Sequence, residues 1–595
     1  MSYELKEFVL DANFIEQMNK AFADLRADYE LDLDTRKDQI KELKSVHVDF
    51  NSYLSNLTSY STKSSGLLSG LRGTGKSHLL LLARNEINDN FHEKKCLCFY
   101  INVKRLHLPE SFSQEIFNRV FSAYLYGEIS KQLSSLLIEQ SPTSYLDKWL
   151  TLFNKDKKAL IAGIASVIGS ISRYQEIALE GSTALRNLDK SELSLETINK
   201  EILELTSKIC STIGIKDQSL SSELQAKINE ELSNKLNIKT NLYSYLNIDD
   251  VRTNLIQIIK ILNIKSITFY IDEWEKLYST ISAQEYLSFY IDKVNDHPFY
   301  FWIGAVPHRG KFYHLDIGAD LQHKIDLDTA LVFENSDEDK RSCIEYFKQF
   351  INKRLSYYLS QYHVDYSVLF NQPKKLEMLV YGSMANPRDF GTMVLQCWTD
   401  YKNYRVTGKY HGRPFKYINE PMIQNSIKSD GGKKLTNIKG NKDLLSVWQD
   451  VESFALSKKS SHIAIIDSTE NIEILSTGHF SELLYHRLLH YRKGHVSQKE
   501  SHQDEKMGIY ALNYACTYDY HQKEKRMNFI TKYEDVHNKV RRYIYEPSII
   551  INKLRIASGE IHPCVSCGEK ISVIKMKAAW ERNSCPFCGE RIYKS

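Results

Sequence analysis

Apolar residues gather in short runs along this chain, and their order predicts alternating strands and helices over roughly the first half. Residues 65–69 (SGLLS) end a short strand, and residues 78–84 (HLLLLAR) open an apolar helix close behind it. Residues 95–103 (KCLCFYINV) form a second strand, in which Cys96 and Cys98 face the same side and read as packing. A β-branched and aromatic run at 266–271 (SITFYI) is a third strand, 299–306 (FYFWIGAV) a fourth, and 327–333 suggests a fifth. A parallel α/β core alternates strand and helix quickly, yet about 160 residues separate the second strand from the third. That interval is rich in helix formers and has no strand run, so residues 106–250 are expected to be a helical insertion. Within it, small residues recur four apart at Ala162, Ser166 and Ser170 and again at Ala165 and Gly169, a spacing that lets helix backbones approach. A buried bundle helix is the plain reading, with a partner-binding helix or contact with a membrane surface as alternatives.

Residues 1–60 read as helical and charged, and 336–400 return to helical periodicity. From 401 the chain turns basic and aromatic, and residues 430–440 (DGGKKLTNIKG) read as a flexible linker. Residues 441–545 alternate helix and short strand. Within them, 474–497 is expected as a basic amphipathic helix, with Leu483, Leu484, Leu488 and Leu489 inward and His486, Arg487, Arg492 and Lys493 outward. Residues 546–595 form a small tail domain.

Length and composition add a scale. The 595 residues, 42% of them hydrophobic, fit roughly three to five domains with ordinary cores. The longest apolar run, 159–172, falls short of the roughly 20 residues that span a bilayer. The polar start MSYELKE lacks a signal-peptide core, so a cytoplasmic location is expected. The net charge of +4 is unevenly placed: residues 401–595 carry about +11 and residues 1–400 about −7. A polyanion would bind the rear. Residues 401–440 hold nine Lys or Arg against two acids, interleaved with Tyr401, Tyr404, Tyr410, Phe415 and Tyr417. This pattern suits phosphates and stacked bases, or equally a solvated linker.

Between the first strand and its helix lies Gly70-Leu71-Arg72-Gly73-Thr74-Gly75-Lys76-Ser77, which fits the phosphate-binding pattern G-x-x-x-x-G-K-[ST]. Gly70, Gly73 and Gly75 let successive N–H groups, with those of Thr74 and His78, face one anion. Lys76 is placed to reach the β- and γ-phosphates, and the Ser77 hydroxyl to hold Mg2+. Asp272 and Glu273 end the third strand. Asp272 at a strand's carboxyl end is the second Mg2+ ligand, and Glu273 beside it is the general base for the attacking water.

Together the P-loop and the strand Phe269-Tyr270-Ile271-Asp272-Glu273-Trp274 resemble AAA+ ATPases, notably the origin-recognition-like and STAND-like branches. A third match is Ala385-Asn386-Pro387-Arg388-Asp389-Phe390, similar to the segment that starts the family's lid helix. The resemblance implies a sensor arginine at Arg388, an arginine finger at Arg309, a homo-oligomer, and a winged-helix-like domain after the lid. It departs at the end of the fourth strand, where the family carries a polar residue and this chain runs into Ala305-Val306-Pro307-His308.

Cys564-Val565-Ser566-Cys567-Gly568 and Cys585-Pro586-Phe587-Cys588-Gly589 are two C-x-x-C-G knuckles, seventeen residues apart. Two such turns build a closed tetrahedral Zn2+ site, which is structural. Residues 570–575 and 579–580 are expected as the strands between them. Cys210, Cys343, Cys397 and Cys516 are scattered and read as reduced packing residues.

The expected architecture is an α/β parallel-sheet P-loop ATPase core (51–335) with an insertion (106–250). A helical lid and basic linker (336–430), a winged-helix-like domain (431–545) and a zinc ribbon (546–595) follow, behind an N-terminal helical segment (1–50). The expected function is an ATPase with ATP, Mg2+ and Zn2+ that couples nucleotide state to DNA through 401–595, or to a protein partner through the insertion. Two alternatives stand beside it: a STAND-like switch of a bacterial anti-phage system acting through a protein effector, and a zinc-stabilised DNA-binding regulator with structural ATP.

Overall fold

A computed structural model describes residues 4–23, 37–108, 111–138, 162, 165–166, 168–169, 226–228, 247–280, 282–407, 415–476, 478–498, 506–522 and 525–593. They fall into two compact units. One comprises Arg26–Gly70 and Thr74–Leu327, the other Met1–Leu25, Leu71–Gly73 and Asp328–Ser595.

The first unit is built on a five-stranded sheet of β1 (Gly66–Ser69), β2 (Cys96–Asn102), β3 (Ser266–Asp272), β4 (Phe299–Ala305) and β5 (His323–Asp326), in the order β2-β3-β4-β1-β5. Every pairing is parallel. Parallel sheets are covered on both faces, and side chains alternate accordingly. Leu97, Phe99, Ile101, Ile267, Phe269, Ile271, Phe301 and Ile303 enter one apolar layer, while Cys96, Cys98, Tyr270 and Trp302 enter the other. The second layer lies against α1 (Tyr53–Ser61) and α2 (Lys76–Asp89), the first against α3 (Gln114–Ile138), α4 (Ile248–Leu262) and α5 (Ala283–Val294). The fifth strand falls at His323–Asp326, just ahead of the expected 327–333, where the chain instead makes a short 3-10 turn at Thr329–Leu331.

Of the expected insertion, α3 at its start and the beginning of α4 at its end are helical. Ala162, Ala165, Ser166 and Gly169 are helical too, with Ala165 and Ile168 in the core of this unit. Ser170, Cys210 and most of 139–246 lie outside the described residues.

In the second unit, α6 (Asp337–Tyr358), α7 (Pro373–Gly382) and α8 (Pro387–Thr407) lead into α9 (Glu420–Ile438). The expected linker at 430–440 is therefore a correction, since most of it is the last half of α9. Asn419 caps that helix, accepting from the Met422 N–H at 3.0 Å. Gly431 is buried against the Ala515 backbone and Lys434 sits in an ion cluster, so packing overrides the two glycines.

After α9 come α10 (Lys442–Ser457), β6 (His462–Ile466), a helix at Thr469–Ser476, α11 (Gly478–Tyr485), β7 (Leu489–Ser497) and β8 (Lys506–Leu512). The strands form an antiparallel sheet in the order β6-β8-β7. This succession of helix, strand, two helices and two strands is winged-helix-like. The single helix expected at 474–497 is really the end of the helix at Thr469–Ser476, then α11, then β7. α11 stops at Tyr485, Arg487 takes a left-handed φ of 58°, and the next residues pair with β8. The Leu488–Leu489 pair fits either period, and strand pairing decides.

Charge is buried in this unit. Glu334, 2% exposed, pairs with Arg492 (Oε2 to Nη2, 2.6 Å) and with His462 (3.0 Å). Burial pushes the Glu334 carboxyl up, but Arg492 and His462 overcome it and hold it down to about 2. A depressed carboxyl contributes stability that is full above its unfolded value near 4.5 and lost as pH falls towards 2. Urea unfolding should therefore show wild type losing stability faster than Glu334→Gln between pH 5 and about 2.5, and identical slopes would show that the pair has no such role. Asp389 is buried likewise between Arg487 (2.8 Å) and Lys434 (2.7 Å), and Lys434 also pairs with Asp430.

Candidate nucleotide and zinc sites

β1 runs into the P-loop and α2 starts at Lys76, with Gly75 before it at φ 100°. The helix thus begins at the lysine and serine that the motif needs, its N-terminal dipole at the loop. Lys76 is 8% exposed, and its ammonium donates to the Gly70 carbonyl at 2.7 Å. The expected pair Asp272–Glu273 ends β3, on the sheet face that meets α2. Asp272 is 1% exposed. Its Oδ1 accepts from the Glu273 N–H at 2.8 Å, and its Oδ2 accepts from the Tyr100 hydroxyl at 2.5 Å.

β4 lies between the P-loop strand and the Asp272 strand. A Cβ on its Gly304 would stand 2.9 Å from Asp272 Oδ1 and 3.1 Å from Leu80 Cδ1, so glycine is what lets the carboxylate and α2 close on that strand. Glu273 adopts a left-handed φ of 63°, a costly conformation for a side-chain-bearing residue of the kind that gathers at functional sites. Glu275 is a residue the sequence reading passed over. Burial raises its carboxyl above the usual range, while Lys76 opposes and Glu273 and Asp272 reinforce the shift. Lys76 and the three carboxyls therefore share one field. A hydroxyl and a buried carboxylate are hard oxygen donors, a set that fits Mg2+.

Other expected residues go elsewhere. His78 faces His47, Nε2 to Nδ1 at 3.1 Å. His308 is half-buried, and desolvation pushes its imidazole down to about 4 and keeps it neutral. Arg309 is 9% exposed, with its guanidinium 5.3 Å over the Tyr278 ring and its carbonyl accepting from Gln284. A finger brings its guanidinium to the transferring phosphoryl group, and for Arg309 that role is an expectation from its order along the chain.

In the second unit, Leu71–Gly73 are gripped by residues from beyond 327. The Leu71 N–H donates to both Asp328 oxygens at 3.0 and 2.8 Å, Asn386 Nδ2 donates to the Arg72 carbonyl at 3.1 Å, and the Arg388 N–H donates to the Gly73 carbonyl at 3.3 Å. The guanidinium of Arg72 lies 5.8 Å over the Tyr485 ring. Arg388 thus stands at the P-loop glycine. Asp328 and Asn386 carry out this anchoring without having been singled out, although Asn386 lay inside the matched segment.

The four knuckle cysteines come together, with all sulfurs within 4.8 Å of one another. Two pairs, Cys564–Cys588 and Cys567–Cys585, are 3.7 Å apart. Sulfurs about 2.3 Å from a tetrahedral zinc lie about 3.8 Å apart, so the cluster fits Zn2+. The knuckles repeat one geometry. Cys564 N–H bonds Glu569 O and Gly568 N–H bonds Cys564 O, as Cys585 N–H bonds Glu590 O and Gly589 N–H bonds Cys585 O. Gly568 and Gly589 take φ of 75° and 77°, which the tight turn requires. Only one expected strand forms between them: β10 (Lys570–Ser572) pairs with β9 (Ile561–Pro563) ahead of the first knuckle. Residues 579–580 belong instead to a helical turn, Lys577–Glu581, whose Trp580 stacks on His562 at 4.4 Å.

The aromatic-basic segment is largely consumed internally. Tyr401 is fully buried, Tyr404 packs on Phe415 at 5.1 Å, Lys416 pairs with Glu4, and Lys428 pairs with Asp519 at 3.1 Å. Tyr410 lies outside the described residues. Among the described residues, Cys96, Cys98, Cys343 and Cys397 are buried, free and packed, and no helix is long and apolar enough to cross a membrane.

The fold and site define an α/β P-loop protein with a four-cysteine ribbon. Similar solved structures include a Walker-type ATPase of Pyrococcus abyssi, with 11% identity over 78% of this chain and 93% of that one and a TM-score of 0.33. They also include the Aeropyrum pernix ORC2 protein with ADPNP and ADP (10%, 82% and 92%, 0.31). The Aeropyrum pernix ORC1 protein in complex with DNA is a third (8%, 79% and 92%, 0.27). No family model and no curated protein matches the sequence.

Proposed function

We propose that this protein binds ATP with Mg2+ at the P-loop and hydrolyses it, and that nucleotide state switches its hold on DNA through residues 401–595. The observation that carries the first part is that α2 starts at Lys76 and Ser77 behind the glycine loop while buried Asp272 ends β3 on the sheet face that meets α2. In this reading Gly70, Gly73, Thr74 and Gly75 offer the cradle and Lys76 takes the β- and γ-phosphates. Ser77 and Asp272 hold Mg2+, which withdraws charge from the transferring phosphoryl group. Glu273 accepts the proton of the attacking water as its oxygen bonds the γ-phosphorus, and the bond to the bridging oxygen breaks with its electrons leaving on ADP. Arg388, set against Gly73, reports the presence of the γ-phosphate to α8.

The second part is supported by the charge of the rear half, about +11, and by exposed cations at Lys433, Lys439, Lys442, Lys458 and Lys459. Phosphate contacts make such binding steeply salt-dependent. The test is ATP turnover by the full chain, wild type and Lys76→Ala, with and without duplex or single-stranded DNA at low and high salt. Turnover should vanish in Lys76→Ala and rise with DNA in wild type, the effect fading with salt. An inactive wild type would refute the ATPase, and an active one with no DNA affinity at low salt would refute the coupling.

A further inference from the structure

The geometry points to Tyr100 as a positioning residue of the metal–nucleotide site, its hydroxyl setting the orientation of the oxygen ligand Asp272. This inference rests on the Mg2+–ATP reading above and deepens it. Among the described residues β2 is an edge strand, paired only with β3, so half of its backbone groups face away from any described strand. At Tyr100 both are taken by one side chain of α3. The Tyr100 N–H donates to Gln132 Oε1 at 2.9 Å, and Gln132 Nε2 donates to the Tyr100 carbonyl at 2.7 Å. Gln132 is fully buried. The root of the ring is therefore pinned.

Asn102 sits opposite Asp272 in the register. Tyr100, two residues back, projects from the same face, and its hydroxyl reaches the carboxylate at 2.5 Å. A carboxylate only accepts, so the single phenol proton is committed to Asp272. Asp272 has one donor on each oxygen, Tyr100 and the Glu273 N–H, and this fixes its plane and leaves further lone pairs for the cation. Partners of this kind behind metal ligands are worth about 10–100-fold in metal affinity.

Tyr100→Phe keeps the packed ring and removes the hydroxyl. The experiment titrates Mn2+ into the full chain holding a non-hydrolysable ATP analogue and reads free Mn2+ by electron paramagnetic resonance. Metal-free analogue affinity and Tm are measured alongside. Wild type should bind Mn2+ about 10–100-fold more tightly than Tyr100→Phe, with metal-free analogue affinity unchanged. Gln132→Leu, which frees the backbone of Tyr100, should weaken Mn2+ in the same direction and carries the comparison if Tyr100→Phe does not fold. Equal Mn2+ affinity in a folded variant and wild type overturns the inference while leaving the nucleotide reading intact. A wild type that binds neither analogue nor metal overturns both.

Discussion

Replacing Glu273 by glutamine should leave ATP bound and slow its hydrolysis by about 10²–10⁴-fold, the span of general-base catalysis. Two observations make Glu273 the residue to change. It follows Asp272 at the carboxyl end of β3, and its left-handed backbone diverts the chain there, so that its N–H braces Asp272. The glutamine keeps size and backbone, and loses only the capacity to take a proton. Quenched-flow hydrolysis and fluorescent-nucleotide binding separate the outcomes. Loss of turnover with binding preserved fits the base. Unchanged turnover would move that role elsewhere, with Glu275 the next carboxyl in the same field. Loss of binding would make Glu273 a ligand of the nucleotide complex instead.

Removing zinc should have the other large effect, confined to the tail. Around the sulfurs the ribbon packs Ile571 and Ile592, with Met576 and Trp580 half-buried against them. So small an apolar core cannot offset the ordering entropy of its residues. Structural zinc contributes an apparent ~10–16 kcal/mol in isolated fingers at neutral pH, enough to decide whether this segment folds. One zinc per chain is expected by elemental analysis. Chelation or Cys585→Ser should open residues 561–593 to protease and hydrogen exchange and leave the five-stranded sheet protected. A metal-free chain whose tail stays protected would show that packing alone suffices.

Much of this was legible in the sequence because the relevant signals are local. A run such as Ile267–Asp272 states its own strand, and its acidic end can be read from its place in the run. The knuckles carry cysteine and glycine spacing within five residues each. Misreadings came where a short segment is compatible with two structures. Gly431-Gly432 speaks for a linker, yet Lys434 and Asp430 are drawn into the Asp389 cluster and the segment is helical. Leu488-Leu489 suits a helix face, but pairing with β8 claims Leu489 for a strand.

By itself the sequence determined the phosphate loop, the acid-tipped strand, the rear-loaded charge and the four-thiol tail, since each is written in neighbouring residues and their fixed geometry. Only the tertiary structure decided that β4 stands between β1 and β3, that Gly304 makes room for Asp272, and that the Tyr100 hydroxyl braces that carboxylate. Those relations depend on strand order and register between segments some 30 to 200 residues apart, and no local pattern of apolar and polar positions encodes which edge meets which.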